Sequence, residues 1–140
     1  MKETGWIQNA SFVVIGLGMT GLACAKELKG FGARSIVVTD TRGGEKLEKL
    51  AGEIAKVEAA GAVFMPSDKA AALKSDFTVV SPGVAATHQL VRGFADGGSE
   101  VIGEIELAYR LAEGRFVAIT GTNGKTTVTG LIGEILKTVF

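Results

Sequence analysis

Two hydrophobic rhythms alternate along this chain. Short apolar runs, each closed by a glycine or another turn residue, are followed by stretches whose apolar positions recur about every 3.6 residues. The runs predict strands at Ser11–Ile15, Ser35–Thr39, Ala62–Met65, Phe77–Ser81 and Glu100–Ile102. The spaced stretches predict helices. Thr20–Phe31 has Leu22, Ala25, Leu28 and Phe31 on one face and is ended by Gly32; Lys46–Ala59 has Leu47, Leu50, Ile54 and Val57. Ser67–Leu73 reads as a short helix or turn, and His88–Asp96 and Glu104–Leu111 as further helices. Strands that alternate with helices imply a parallel, doubly wound α/β sheet of about five strands. Glu113-Gly114-Arg115 marks a boundary, giving a first domain over 1–113 and a second segment over 114–140. That segment carries one more expected strand, Phe116–Ile119, and a helix, Thr126–Val139, with Val128, Leu131, Ile132, Ile135 and Leu136 as an apolar face. Unpaired strand edges recruit partners, so this tail is expected to pack on the first domain or on another copy of the chain, a route to self-association.

The turns carry the candidate chemistry. Gly16-Leu17-Gly18-Met19-Thr20-Gly21 follows strand one and opens a helix, the position of the glycine fingerprint of Rossmann-like folds. The first glycine permits the tight turn, the second lets backbone approach a pyrophosphate, and the third packs helix on strand. Asp40 ends strand two about twenty residues on, where dinucleotide folds place a ribose-binding acid. From these residues three readings stay open: NAD, another diphosphate such as a UDP-sugar, or glycines needed only for the turn. A second loop reads Val117-Ala118-Ile119-Thr120-Gly121-Thr122-Asn123-Gly124-Lys125-Thr126-Thr127. It departs from G-x-x-x-x-G-K-[ST] in that the first glycine would fall at Ile119. The order of apolar run, glycine loop, Lys-Thr and helix is nonetheless that of a P-loop. Gly121 and Gly124 would let backbone N–H groups turn inward around the phosphates of ATP, Lys125 would reach the β/γ-phosphates, and Thr126 would hold Mg²⁺. A P-loop opens an α/β domain, so the chain is expected to be the front, truncated part of a larger ATP-using enzyme.

Composition narrows the partners. The 15 basic and 15 acidic residues cancel, so no nucleic-acid surface is indicated. No apolar run is long enough to span a bilayer, and Met1–Gly5 lacks a signal-peptide core; the cytoplasm is the expected compartment. One cysteine and one histidine exclude a disulfide framework and a Cys/His metal site within one chain. Cys24 is expected to be a buried small hydrophobe and His88 a solvated or capping residue. The side chains of Glu104 and Glu106 are expected to diverge on their helix, and Trp6, Tyr109 and Phe116 to pack at edges and boundaries.

The two loops in this order, with Asp40-Thr41-Arg42, Ser81-Pro82-Gly83 and Gly103-Glu104-Ile105-Glu106-Leu107, resemble the Mur ligase family, and within it the D-glutamate-adding member. The resemblance runs from about Val13 to Leu136. It implies an ATP-dependent ligase of peptidoglycan synthesis that joins D-glutamate to UDP-N-acetylmuramoyl-L-alanine through an acyl phosphate. It implies that Gly18, Met19 and Thr20 face the diphosphate, that Asp40, Thr41 and Arg42 line the uridine end, and that Gly83 borders the same pocket. Gly121 to Thr127 would hold ATP and Mg²⁺, with Lys125 and Thr126 serving the phosphoryl transfer. The 140 residues alone are expected to bind nucleotide without ligase turnover. Two other readings compete: an NAD-binding Rossmann oxidoreductase, which has no use for the P-loop, and a non-catalytic nucleotide-binding module.

Overall fold

The computed structural model describes residues 4–139; Met1–Glu3, part of the segment read for targeting, and Phe140 lie outside the described residues. The predicted rhythm is realised as β1 (Ser11–Ile15), α1 (Met19–Gly30), β2 (Ser35–Thr39), α2 (Glu45–Glu48), α3 (Ala51–Ala59), β3 (Val63–Phe64), α4 (Ser67–Ala70), β4 (Phe77–Val80), α5 (Gln89–Asp96), β5 (Glu100–Gly103), α6 (Glu104–Leu111) and α7 (Lys125–Val139). The sheet has five parallel strands in the order β3-β2-β1-β4-β5. The chain winds outward from β1 to one edge, then crosses back to β4. That reversal opens a crevice between the carboxyl ends of β1 and β4, where such sheets bind ligands.

Both faces of the sheet are buried, which is why the strands read as apolar runs rather than alternating ones. Phe12 and Val14 face one way with Leu28 of α1, Val57 of α3 and Leu107 of α6; Val13 and Ile15 face the other with Leu90, Val91 and Phe94 of α5. Phe12 stacks on Phe77 at 5.1 Å, and Trp6 meets Phe77 edge-on at 4.8 Å, beneath the Arg110 guanidinium. Trp6 thus closes the domain edge, as expected. His88 caps α5 by accepting from the Leu90 N–H at 3.2 Å.

Four expectations change. The helix expected over Lys46–Ala59 is two, broken at Lys49-Leu50, where Leu50 turns in to pack on the first cluster beside Ile54. Gly52 just beyond lowers the cost of that interruption. β3 shrinks to Val63–Phe64, an edge strand paired on one side only. Residues 115–120 form no strand, because a strand exists only through a ladder and this segment has none. No residue of α7 is buried, and Val128, Leu131, Ile135 and Leu136 are exposed, so the first domain does not cover this face. Among the described residues no helix is long and apolar enough to cross a membrane.

Cys24 lies buried in α1, and burial, followed by the nearby Glu104 charge, pushes its thiol up to about 11. At pH 8 only about one thiol in a thousand is then ionised, against roughly one in four for a free cysteine. Labelling by a disulfide reagent is expected to be about a hundredfold slower in the native protein than in urea. Rapid stoichiometric labelling of the native chain would contradict this burial.

Candidate functional site

The site is built where β1, β2 and β4 end. The ladders run on into their loops: the Gly16 N–H donates to the Thr39 carbonyl at 2.8 Å and the Ser81 N–H to the Ile15 carbonyl at 3.0 Å. Three glycines then do different things. Gly16 has φ +126°, and a Cβ there would sit 2.2 Å from Ser81 Oγ. A Cβ on Gly21 would sit 2.4 Å from the Gly16 carbonyl oxygen, so this glycine lets α1 press against the strand end. Gly18 also has φ +126°, yet nothing lies within 4 Å of its would-be Cβ. Packing does not require glycine there; the turn and the open space beside it do. Gly18 provides no side-chain cap for α1, so the helix's first-turn N–H groups are left pointing out of its N-terminus, a ready anion site.

The cleft in front of these loops is about 530 Å³ and is lined by Gly16, Leu17, Met19, Thr20, Asp40, Thr41, Arg42, Ser81, Pro82, Gly83 and Val84. Six of the seven residues expected to contact substrate, Met19, Thr20, Asp40, Thr41, Arg42 and Gly83, meet here although they come from three distant segments. The seventh, Gly18, borders an adjoining hollow with Leu22, Glu53 and Lys56, which shares Met19 with the main cleft.

Asp40 anchors this arrangement. It is 4% exposed, and its Oδ2 accepts from the Leu17 N–H at 2.7 Å. Arg42 folds back on it, donating from Nε to Oδ1 at 2.7 Å and from Nη2 to Oδ2 at 2.8 Å, while the Arg42 N–H donates to Oδ1 at 2.9 Å. Burial alone would raise the carboxyl; the hydrogen bonds from Arg42 and Leu17 outweigh it and hold the group below the ordinary Asp range. Asp40 in turn raises the guanidinium. A carboxyl that binds its proton less tightly folded than unfolded stabilises the fold fully above its unfolded pKa, about 3.9, and loses that contribution as pH falls through the lower folded value. Asp40→Asn is therefore expected to destabilise the protein most near pH 6, with the deficit shrinking below about pH 4. Urea denaturation at both pH values checks this, and a deficit independent of pH would contradict it.

Several contributors had no assigned role in the sequence reading. Leu17 acts through its backbone, which no residue pattern reveals. Ser81 is nine-tenths buried and lines the cleft, yet its Oγ has no hydrogen-bond partner among the described residues; it stood in a quoted motif without a function. Glu104 accepts on Oε2, at 3.1 Å, the hydroxyl proton of Thr20, itself an expected site residue, which ties α1 to the start of α6. Glu106 instead pairs with Arg110, so the two glutamates do diverge.

In the second loop Gly121 and Gly124 take φ +153° and +78°. The Lys125 ammonium reaches back to the Gly121 carbonyl, curling over the loop, and α7 starts here, with the Val128 N–H donating to the Gly124 carbonyl. Left-handed glycines, a lysine folded over them and the N-terminus of a 15-residue helix are a donor set suited to a triphosphate. Thr126, expected to hold Mg²⁺, is the second residue of α7. No group of three or more His, Cys, Asp or Glu that could hold a metal occurs among the described residues.

Residues 10–103 match the family described as Mur ligase MurD-like, N-terminal domain. The chain is 43% identical over 129 residues to the UDP-N-acetylmuramoylalanine--D-glutamate ligase of Caldicellulosiruptor saccharolyticus, covering 91% of this chain and 28% of that protein. It is 43% identical over 131 residues to the enzyme of the same name from Trichlorobacter lovleyi, covering 94% and 29%. The chain thus spans less than a third of the length of these relatives. Among solved structures, alcohol dehydrogenase TADH from Thermus sp. ATN1 matches with a TM-score of 0.51 at 16% identity, covering 86% of this chain and 34% of that one. L-tryptophan dehydrogenase from Nostoc punctiforme matches with a TM-score of 0.51 at 16% identity, covering 72% and 29%. At such identity these two share the Rossmann-like fold and nothing more.

Proposed function

The chain belongs to the MurD-like Mur ligases, and on that premise we propose that its first domain, residues 1–113, binds UDP-N-acetylmuramoyl-L-alanine and that residues 114–140 begin an ATP-binding domain. The activity they serve is ATP-dependent addition of D-glutamate in the cytoplasm, a step of peptidoglycan synthesis. The observation that carries this reading is the convergence of the Gly16–Gly21 loop, Asp40-Thr41-Arg42 and Ser81-Pro82-Gly83 on one cleft at the sheet's reversal.

Each group has a task in this proposal. Gly18 leaves room for a diphosphate at the N-terminus of α1, where the N–H groups of Met19 and Thr20 receive its oxygens. The Thr20 hydroxyl, whose proton goes to Glu104 without ligand, turns toward the diphosphate. Asp40 holds Leu17 and Arg42 in place, so that Thr41 and Arg42 present a fixed edge to the uracil. Ser81 and Gly83 close the opposite wall, and the partnerless Ser81 hydroxyl can pair with a ligand oxygen. In the second segment Lys125 and the loop N–H groups would hold the ATP phosphates and Thr126 the Mg²⁺. ATP bound there supplies the phosphoryl group that converts the substrate's terminal carboxylate to an acyl phosphate, which the D-glutamate amine attacks, releasing phosphate. The task of Lys125 is to offset negative charge on the phosphoryl group as it moves.

Calorimetric titration tests the binding half. UDP-N-acetylmuramoyl-L-alanine is expected to bind saturably to the 140-residue chain, and no heat of binding up to millimolar ligand would overturn the reading.

A further inference from the structure

We propose that the Arg42–Asp40 pair is a selectivity device that closes this cleft to dinucleotide cofactors, because Arg42 occupies the carboxylate positions that an adenosine ribose would need. The inference rests on the reading that the cleft takes a UDP-sugar. A cleft with a glycine loop at the end of β1 and a carboxylate at the end of β2 has the two parts that dinucleotide folds use for pyrophosphate and ribose. Something must keep abundant NAD from competing.

The geometry supplies it. An ionised carboxylate offers about four lone-pair positions. All are taken here: Oδ1 by the Arg42 N–H and Nε, Oδ2 by the Leu17 N–H and Arg42 Nη2, at 2.7 to 2.9 Å. Asp40 is almost wholly buried, while the Arg42 side chain is 43% exposed, so the guanidinium stands between the carboxylate and solvent. Nη2 also donates to the Leu17 carbonyl at 3.3 Å, fastening that cover to the glycine loop. A ribose diol would have to displace a two-pronged, charge-assisted contact and leave Arg42 without its partner. The 2′-phosphate of NADP gains little: Arg42 Nε and Nη2 are turned onto Asp40, which leaves Nη1 to receive it, and the buried carboxylate behind the guanidinium repels it. A UDP ligand can use the same loop for its diphosphate without asking Asp40 for a hydroxyl contact. Selection thus comes from polar groups that a wrong ligand would leave unpaired, which is where large discrimination arises.

The test uses the full 140-residue chain and calorimetry with NAD, NADP, 2′-deoxyadenosine NAD and UDP-N-acetylmuramoyl-L-alanine. Arg42→Ala uncovers two lone pairs on Asp40, so NAD affinity is expected to rise at least tenfold while NADP affinity does not. Adding Asp40→Asn should cancel that gain, since an amide accepts at one oxygen only. In the unmutated chain, NAD and its 2′-deoxy analogue should bind equally weakly; this comparison decides the matter if Arg42→Ala does not fold. A folded Arg42→Ala protein with unchanged NAD affinity would overturn the proposal, as would a tenfold loss for the deoxy analogue in the unmutated chain. Failure of the UDP-sugar reading is separate and visible: the unmutated chain would then not bind UDP-N-acetylmuramoyl-L-alanine, whatever Arg42→Ala does with NAD.

Discussion

Gly16→Ala is expected to cost the protein about 2–5 kcal/mol, a large part of the 5–15 kcal/mol that holds a typical domain folded. Gly18→Ala is expected to cost less and to lose the ligand instead. Both residues have φ +126°, so both substitutions carry backbone strain, worth about 1–3 kcal/mol each. They differ in what a methyl group meets. At position 16 it runs into Ser81 Oγ and Cβ, at 2.2 and 2.6 Å, so the strand ends of β1 and β4 must move apart. At position 18 it meets nothing and projects into space that the proposed diphosphate would use. Thermal melts with and without UDP-N-acetylmuramoyl-L-alanine separate the two effects, because a ligand bound only by the folded state raises the melting temperature. The Gly16 variant should melt far lower. The Gly18 variant should melt moderately lower and lose the ligand-induced rise. A full ligand-induced rise in Gly18→Ala would refute the diphosphate placement.

The second large effect is on turnover. The 140-residue chain is expected to release no ADP in a D-glutamate-dependent manner, at least a thousandfold below the rate of typical enzymes, about 10 s⁻¹. The residues proposed to hold the ATP phosphates, Gly121 to Thr127, are all exposed. Thr126 is the single residue proposed to hold Mg²⁺, and no group of three or more acidic, histidine or cysteine side chains that could hold a metal occurs among the described residues. Phosphoryl transfer depends almost wholly on positioned positive charge, which a solvent-facing loop screens poorly from water. A coupled assay for ADP, run with UDP-N-acetylmuramoyl-L-alanine and ATP with and without D-glutamate, measures this directly. D-glutamate-dependent ADP release by the purified chain would show that the 140 residues already hold what the chemistry needs.

The sequence was most informative where local and long-range demands agreed. Ser35–Thr39 and Glu104–Leu111 fall where their patterns place them, because a β-branched run buried on both faces and a well-spaced amphipathic helix need no distant information. The glycine loop was legible for the same reason: its residue types follow from backbone geometry. The break at Lys49-Leu50 was hidden, since helical spacing continues through it and only packing of Leu50 on the core interrupts it. Phe116–Ile119 has strand-like composition but no ladder to join, and pairing is not a property of one segment. The site showed the same division. Asp40, Thr41 and Arg42 could be read as a motif, but the turn of Arg42 back onto Asp40 could not. That fold-back needs the Leu17 backbone, delivered by another loop, as the third corner. Ser81 became visible as a contributor only when β4 was seen beside β1, with its hydroxyl against Gly16 and no partner of its own.

Amide chemical-shift mapping during titration with UDP-N-acetylmuramoyl-L-alanine reports whether the crevice between β1 and β4 holds the UDP-sugar. The largest shifts are expected at Leu17, Gly18, Met19 and Thr20, at Thr41 and Arg42, and at Ser81 and Gly83, with α5 and α7 nearly unchanged. Saturable shifts centred on other residues, such as His88 and Gln89 at the start of α5, with the glycine loop unmoved, would place the ligand elsewhere and rule this crevice out.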